Sequence, residues 1–138
     1  MYLSKRVDYA IRGICYLATA RSSVFVKEIS EAERIPQSSL AKIFQSLARH
    51  GLVSSMRGRT GGFLLGMRPE QITLIKIVEA IDGPMLPQNC PFVDDACGRK
   101  NDCFVYKTWK DAALQMFRAM ESVTLQDLLK MEEARHAN

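Results

Sequence analysis

Three cysteines lie within a short stretch that has no apolar periodicity, NCPFVDDACGRKNDCF at residues 89–104. Cys90, Cys97 and Cys103 follow the pattern C-x6-C-x5-C. The chain from Gly83 onward also contains three prolines, which disfavour a continuous helix there. Thiolates are good ligands for soft metals and iron–sulfur clusters, and free thiols are redox-active. The sequence therefore predicts that this loop holds a metal centre or senses redox state.

Three kinds of cysteine chemistry remain open for this loop. Zinc sites usually contain a close C-x2–4-C pair with a fourth cysteine or a histidine nearby. This loop has neither, since His50 and His136 are the two histidines of the chain. An iron–sulfur cluster fits better because it prefers thiolates and can be held by widely spaced cysteines. Its fourth ligand would then not be a cysteine of this loop, or one iron would be left open. Zinc and bare reduced thiols stay as the alternatives.

Length and composition are typical of one folded domain, or of one small domain with an extension. The chain has 138 residues, of which 47% are hydrophobic and 25% charged, which is enough to form a core. It lacks the run of about 18 apolar residues that a membrane span needs. The N-terminal MYLSKRVDYAIRG is charged where a signal peptide needs an apolar core. We therefore expect a cytoplasmic protein, in which clustered cysteines bind metal or sense redox state more often than they form disulfides.

Charge is unevenly distributed along the chain. Residues 1–70 carry 11 Lys/Arg and 5 Asp/Glu, a balance of +6, whereas residues 71–138 carry 8 and 10, a balance of −2. The basic half is therefore the expected face for a polyanion such as DNA.

The basic half also contains the pattern of a helix-turn-helix. Apolar residues recur at helical spacing over 3–20, 26–34 and between Pro36 and Gly51. In the third helix one stripe is predicted to be buried, formed by Leu40, Ile43, Phe44 and Leu47. Polar and basic residues near its N-terminus point away from that stripe and are the candidates for DNA contact: Gln37, Ser38, Ser39 and Lys42. Two short helices with a tight connection predict a recognition helix that enters the major groove.

A β-hairpin is predicted directly after this helix pair. Two strand-like runs at 52–56 and 63–65 flank the sequence RGRTGG. A hairpin in this position is typical of a winged helix, whose tip would place Arg57 and Arg59 on phosphates or in a narrow minor groove. The alternative is a hairpin whose basic tip is merely solvated.

The remainder of the chain is predicted to be helical on both sides of the cysteine loop. Helices are expected over 73–82, over 104–120 and from Thr124. The helix at 104–120 has a broad apolar stripe, which is either core or a dimer interface. We thus predict a mainly α fold with three parts: a winged helix-turn-helix at 1–83, a cluster-binding loop at 84–103, and a dimerisation helix with a C-terminal helix at 104–138.

Two other function classes are the alternatives to a DNA-binding regulator. An enzyme is not expected, because the chain shows no Ser/His/Asp set, no phosphate-binding loop and no histidine near a credible nucleophile. A winged helix that binds protein instead of DNA would show no salt-dependent affinity for duplex DNA.

The order of motifs resembles the Rrf2 family of bacterial winged-helix transcription regulators. The resemblance covers roughly residues 1–130 and depends on LSKRVDYAIRGICYLA, SLAKIFQSLARHGLVSSMRGRTGGFLLG and ITLIKIVEAIDGP, followed by three spaced cysteines. It implies a cytoplasmic homodimer that binds a two-fold DNA operator, with an iron–sulfur cluster loop just before a long dimerisation helix. It further implies a regulator, expected to be a repressor, that responds to nitric oxide, redox state or iron–sulfur status.

The resemblance also implies a ligand set. The family's cluster cysteines correspond to Cys90, Cys97 and Cys103. IscR-like members place a histidine three residues after the last cysteine, where this chain has Tyr106. NsrR-like members use an aspartate of the first helix from the other subunit, which corresponds to Asp8. Asp8 is therefore the predicted fourth ligand, ahead of Asp94, Asp95, Asp102 and Tyr106, and the cluster type, 2Fe–2S or 4Fe–4S, stays open.

Overall fold

The computed structural model describes residues 3–58, 61–86, 99 and 102–138. Over these ranges the chain is mainly helical with one antiparallel hairpin, so the predicted fold class is confirmed. The helices are α1 (Lys5–Thr19), α2 (Val26–Glu33), α3 (Gln37–Arg49), α4 (Leu74–Asp82), α5 (Phe104–Glu121) and α6 (Leu125–His136). The strands are β1 (Val53–Met56) and β2 (Gly62–Leu65). A short 3-10 turn at Pro69–Gln71 leads from the hairpin to α4.

The recognition helix α3 is anchored by the stripe that its sequence predicts. Leu40, Ile43, Phe44 and Leu47 are all fully buried. Helix α1 packs against this stripe with its own apolar face, which includes Val7, Ala10, Ile14 and Leu17. Because one side of α3 is fixed in the core, the opposite side is presented to solvent in a defined orientation.

The hairpin is held on two sides. Its register pairs Val53 with Leu65 and Met56 with Gly62. The Phe63 ring makes an edge-to-face contact with Phe44 of α3, with 5.1 Å between the ring centroids. The backbone of Phe63 also exchanges two hydrogen bonds with Val24, in the linker between α1 and α2. The hairpin is therefore positioned relative to the recognition helix by packing and by backbone pairing.

Gly62 is required where the hairpin meets that linker, and we expect Gly62→Ala to destabilise the fold. Gly62 has φ +106°, and a Cβ there would lie 2.4 Å from the carbonyl oxygen of Val24. Alanine would add backbone strain and a steric clash, so the free energy of unfolding in urea should fall by about 2–3 kcal/mol. Gly58 is the matched control, because it has φ +96° and none of the described residues lies within 4 Å of an added Cβ. Equal losses in Gly58→Ala and Gly62→Ala would contradict a role for this close approach.

The C-terminal helices share the same core. Leu125 of α6 is fully buried, and Phe117, Met120, Leu128 and Leu129 pack against the buried cluster. The start of α4 is joined to the α5–α6 turn by two backbone hydrogen bonds, Leu74 N–H to Val123 O and Leu125 N–H to Ile72 O. Thr124 and Asp127 cap α6 reciprocally, and these hydrogen bonds lower the pKa of Asp127. The proposed three-part division of the chain stays a prediction.

None of the helices in the described ranges has both the length and the hydropathy needed to span a bilayer.

Candidate DNA-binding surface and cysteine segment

The polar side of α3 carries the residues that the sequence proposed for DNA contact. Gln37, Ser38 and Lys42 are exposed, and Ser39 is partly buried at the edge of this side. Pro36 is the N-cap of α3, with φ −56° and ψ 127°, so its backbone is not helical and the helix begins at Gln37. The structure thus brings the four proposed residues together on the first two turns of α3.

The same side continues along α3 beyond the four residues proposed for DNA contact. Gln45 and Arg49 are exposed and follow Ser38 and Lys42 at spacings of 3 or 4 residues. The helical spacing of the sequence already places both residues opposite the buried stripe, beyond the N-terminal turns that usually enter the major groove. Gln45 and Arg49 are therefore additional candidates for base or phosphate contact.

The tip of the hairpin is described in part. Arg57 follows β1 directly and is exposed, so its guanidinium is accessible to an anionic partner. Gly58 takes a positive φ of +96°, which lets the chain turn sharply beside Arg57. Arg59 lies outside the described residues.

The turn between α2 and α3 is braced from α1. Helix α2 is followed by Arg34, which has the left-handed backbone conformation common after a helix. Arg12 of α1 donates to the backbone oxygen of Glu33 and also pairs with the Glu33 carboxylate at 3.3 Å. One guanidinium thus satisfies a carbonyl at the end of α2 and holds α2 against α1.

Asp8 lies one turn before this arginine, on the exposed part of α1. Its carboxylate pairs with Arg12 at 3.5 Å, and its side chain is 61% exposed. An exposed ion pair of this kind contributes little to stability, because solvent screens it. The Asp8 carboxylate is therefore accessible to a ligand or to a second chain.

Cys103 stands at the beginning of α5. It occupies the N-cap position and its side chain makes no capping hydrogen bond. Its thiol is free and half-buried. The N-terminal end of a helix carries partial positive charge, which suits an anionic centre. Cys103 therefore fits the role of a soft, anionic ligand on a rigid element.

The other two candidate cysteines, Cys90 and Cys97, lie outside the described residues, as do Asp94 and Asp95. Within the ranges that the structure covers, no group of three or more His, Cys, Asp or Glu side chains is placed to hold a metal ion. The donor set that the sequence predicts, three thiols and a carboxylate, would suit an iron–sulfur cluster better than Mg²⁺ or Ca²⁺.

Cys15 is a different kind of cysteine, and we expect it to be unreactive. It is buried in α1, and its pKa is raised from 9.0 to about 12 by burial first and then by Glu132 and Glu33. Since the thiolate is the nucleophile, its alkylation by iodoacetamide at pH 8 should be about a thousandfold slower than that of an ordinary thiol. Mass spectrometry of native protein should find Cys15 unmodified, with modification after denaturation in urea as the control. Rapid alkylation of native protein at Cys15 would contradict its burial.

Helix α5 carries two apolar sides. Ala113, Phe117 and Met120 face the rest of the chain, and Ala113 is buried. A second apolar side is open to solvent, with Phe104 83%, Val105 57% and Met116 36% exposed. A shallow groove lies along its beginning, lined by Phe104, Val105, Thr108, Trp109 and Ala112. The broad stripe seen in the sequence is therefore partly core and partly an uncovered surface.

Comparisons with known proteins match almost the whole chain. A family model described as "Rrf2: Iron-dependent Transcriptional regulator" matches residues 3–131. The HTH-type transcriptional regulator IscR of Sodalis glossinidius (strain morsitans) is 30% identical over 135 residues, which cover 96% of this chain and 81% of that protein.

Solved structures share the fold. The structure of CymR (YrzC), named as the global cysteine regulator of B. subtilis, superposes with a TM-score of 0.77 at 24% identity and covers 95% of this chain and 98% of that one. T. potens IscR superposes with a TM-score of 0.77 at 23% identity, covering 98% of this chain and 90% of that one. At these identities the likeness concerns the fold alone.

Proposed function

The chain belongs to the Rrf2 family of winged-helix transcriptional regulators, and from that membership we propose that it is a homodimeric repressor controlled by an iron–sulfur cluster. DNA-binding regulation follows from the family, whose members are transcriptional regulators and not enzymes. The observation that carries the cluster proposal is the donor set: Cys103 with a free thiol at the start of α5, preceded by Cys90 and Cys97.

On DNA, α3 would lie in the major groove with Gln37, Ser38, Ser39 and Lys42 nearest the bases or the adjacent phosphates. Glutamine can pair bidentately with adenine, whereas lysine more often contacts phosphate. The wing would place Arg57 and Arg59 on the backbone or in the minor groove. Gln37, Ser38, Lys42 and Arg57 are exposed beside a firmly packed hairpin, which supports this docking.

We expect Arg57→Ala and Arg59→Ala each to weaken operator binding and to make it less salt-dependent. Loss of one phosphate contact should reduce the slope of log Kd against log salt by about 1. Fluorescence anisotropy between about 50 and 200 mM salt measures this slope. Arg135→Ala, on exposed α6, is the control with the same change in charge. A slope equal to that of the wild type in both wing variants would contradict the wing docking.

Cys90, Cys97 and Cys103 would hold the cluster, and Asp8 of the partner subunit would be the fourth ligand. When bound, the cluster supplies a redox-active and nitric-oxide-reactive centre. The exposed Asp8 carboxylate, which is paired only weakly with Arg12, is suited to such a contact. Asp8 also lies next to the Arg12 guanidinium that holds the end of α2. A ligand contact at Asp8 would therefore alter the position of the α2–α3 turn and of the recognition helix.

The open apolar side of α5 is the proposed dimer interface. Two recognition helices would then meet successive major grooves of a two-fold operator, separated by about 34 Å. Because the DNA fixes that separation, a small change in the orientation of α3 alters affinity strongly, and a differential stability of a few kcal/mol is enough to change occupancy.

Anaerobic purification followed by iron and acid-labile sulfide assay tests the cofactor, and anisotropy on genomic fragments compares the loaded and cluster-free protein. We expect stoichiometric iron and sulfide, and an operator affinity that differs between the two forms. Absence of iron and sulfide, with operator affinity unaltered when all three loop cysteines are serine, would contradict the proposal.

The second candidate is a zinc- or thiol-based redox regulator without a cluster. This alternative is supported by the fold that the chain shares with CymR, which is named as a cysteine regulator. It predicts zinc, or no metal, in the same assay, together with operator affinity that responds to thiol oxidation in cluster-free protein.

A further inference from the structure

The last turn of α4 contains a carbonyl that its own helix cannot satisfy. The backbone oxygen of Ala80, in a residue that is 4% exposed, would normally accept from the amide of residue 84. That residue is Pro84, which has no N–H. The hydroxyl of Ser46, a residue of α3 that is 6% exposed, donates to the Ala80 oxygen at 2.6 Å instead. Since a buried carbonyl without a donor is costly, this bond fixes the end of α4 to the recognition helix.

Two carboxylates of the same turn of α4 accept hydrogen bonds from other segments of the chain. The Asp82 carboxylate accepts from the backbone N–H of Ser4 at 3.2 Å and from its hydroxyl at 2.6 Å, just before α1 begins. The Glu79 carboxylate accepts from the backbone N–H of Met85 at 3.0 Å. Met85 is itself buried, and the cysteine segment follows it. The last turn of α4 is therefore bonded to α3, to the start of α1 and to the chain that leads into the cysteines.

We propose that Ser46 is a positioning residue that couples the cysteine segment to the recognition helix through the last turn of α4. This inference rests on the proposed function, because the coupling would transmit to α3 whether the cysteine segment holds a cluster. The path runs from Met85 through Glu79 and Ala80 to Ser46, which lies one turn after Lys42 on α3. A change in the segment that unwinds or rotates this turn must move α3 or break the Ser46 bond, because Pro84 offers no replacement donor.

The test compares the ratio of operator affinities of cluster-loaded and cluster-free protein in the wild type and in Ser46→Ala. We expect the ratio to fall by about fivefold or more in Ser46→Ala, while iron and sulfide content stay at wild-type levels. Ser30→Ala is the matched control, because the Ser30 hydroxyl donates to the Ile35 backbone oxygen within the same helix-turn-helix but is not bonded to α4. It should weaken both forms equally and keep the wild-type ratio.

A wild-type ratio retained by Ser46→Ala, or an equal fall in Ser30→Ala, would overturn the coupling and leave the proposed function intact. If the wild-type protein bound the operator equally well with and without the cluster, both the coupling and the proposed function would be overturned. Hydrogen exchange of the wild-type protein decides the matter independently of any variant's stability. Cluster loading should change amide protection together at residues 47–50, at the end of α3, and at residues 81–83, at the end of α4. Unchanged protection at 47–50 would overturn the coupling.

Discussion

Replacing Met116 by glutamate is expected to convert the protein to monomers and to weaken binding to a two-fold operator by about 10²–10⁴-fold. Met116 is 36% exposed on the open apolar side of α5, where a second chain is proposed to pack. A carboxylate at the centre of that interface would be desolvated without a partner, which costs far more than the lost methionine contacts. Each recognition helix would then bind its half-site alone. Sedimentation and anisotropy measure the two effects.

The spacing of this side of α5 supports an interface between helices. Its residues recur at intervals of four and three, as in the seam of paired helices: Val105, Trp109, Ala112, Met116 and Ala119. Ala112 and Ala119 are small and exposed, so a second helix could approach closely at both positions. An uncovered apolar side of this kind on a helix usually marks a contact with another molecule.

Gln115→Glu is the matched control for Met116→Glu. It introduces the same carboxylate with the same change in charge on an exposed, polar part of the same turn. We expect it to remain dimeric and to bind the operator with nearly wild-type affinity. A Met116→Glu protein that stays dimeric would exclude this side of α5 as the interface, and a monomeric Gln115→Glu protein would mean that the helix is sensitive to any added charge.

Most secondary-structure elements could be predicted because their signals are local. Thr73 caps α4 by accepting from the Lys76 N–H, and Gly83 ends it with φ +84°, as residues of those types usually do. The hairpin was indicated by RGRTGG between two strand-like runs, and its strands lie within one residue of the predicted bounds. The buried stripe of α3 follows from periodicity alone, and so does the polar side opposite to it.

Features that depend on contacts between distant residues could not be predicted in this way. The bond between Ser46 and Ala80 joins residues 34 apart in sequence, and a buried serine in α3 gives no local sign of its partner. The spacing of Asp8 and Arg12 predicts an ion pair along α1, but no local pattern indicates that Arg12 also holds the end of α2, 21 residues later. The apolar stripe of α5 is broad, and its periodicity does not show which of its residues pack against the same chain and which are open to a second chain.

The second large effect is expected for Cys103→Ser, which should lower the iron and sulfide content of anaerobically purified protein by about tenfold or more. We expect this variant to lose a cluster ligand while its fold remains intact. Cys103 is the N-cap of α5 and makes no capping hydrogen bond, whereas serine is among the preferred N-cap residues. The thermal midpoint of the cluster-free protein should therefore be unchanged or slightly raised, while the affinity difference between anaerobic and air-exposed protein disappears.

Cys15→Ala separates this effect from the loss of any thiol. Cys15 is buried in α1 and its pKa is raised to about 12, so it is unsuited to give up a proton to a metal centre. Iron and sulfide should stay at wild-type levels in Cys15→Ala, with at most a modest loss of stability from the smaller side chain. If Cys103→Ser retained full iron and sulfide and Cys15→Ala lost them, the centre would have to be held by α1 and not by the segment that precedes α5. If both variants kept an unaltered response to air, the thiols would not carry the signal, and the regulation would have to act through another part of the molecule.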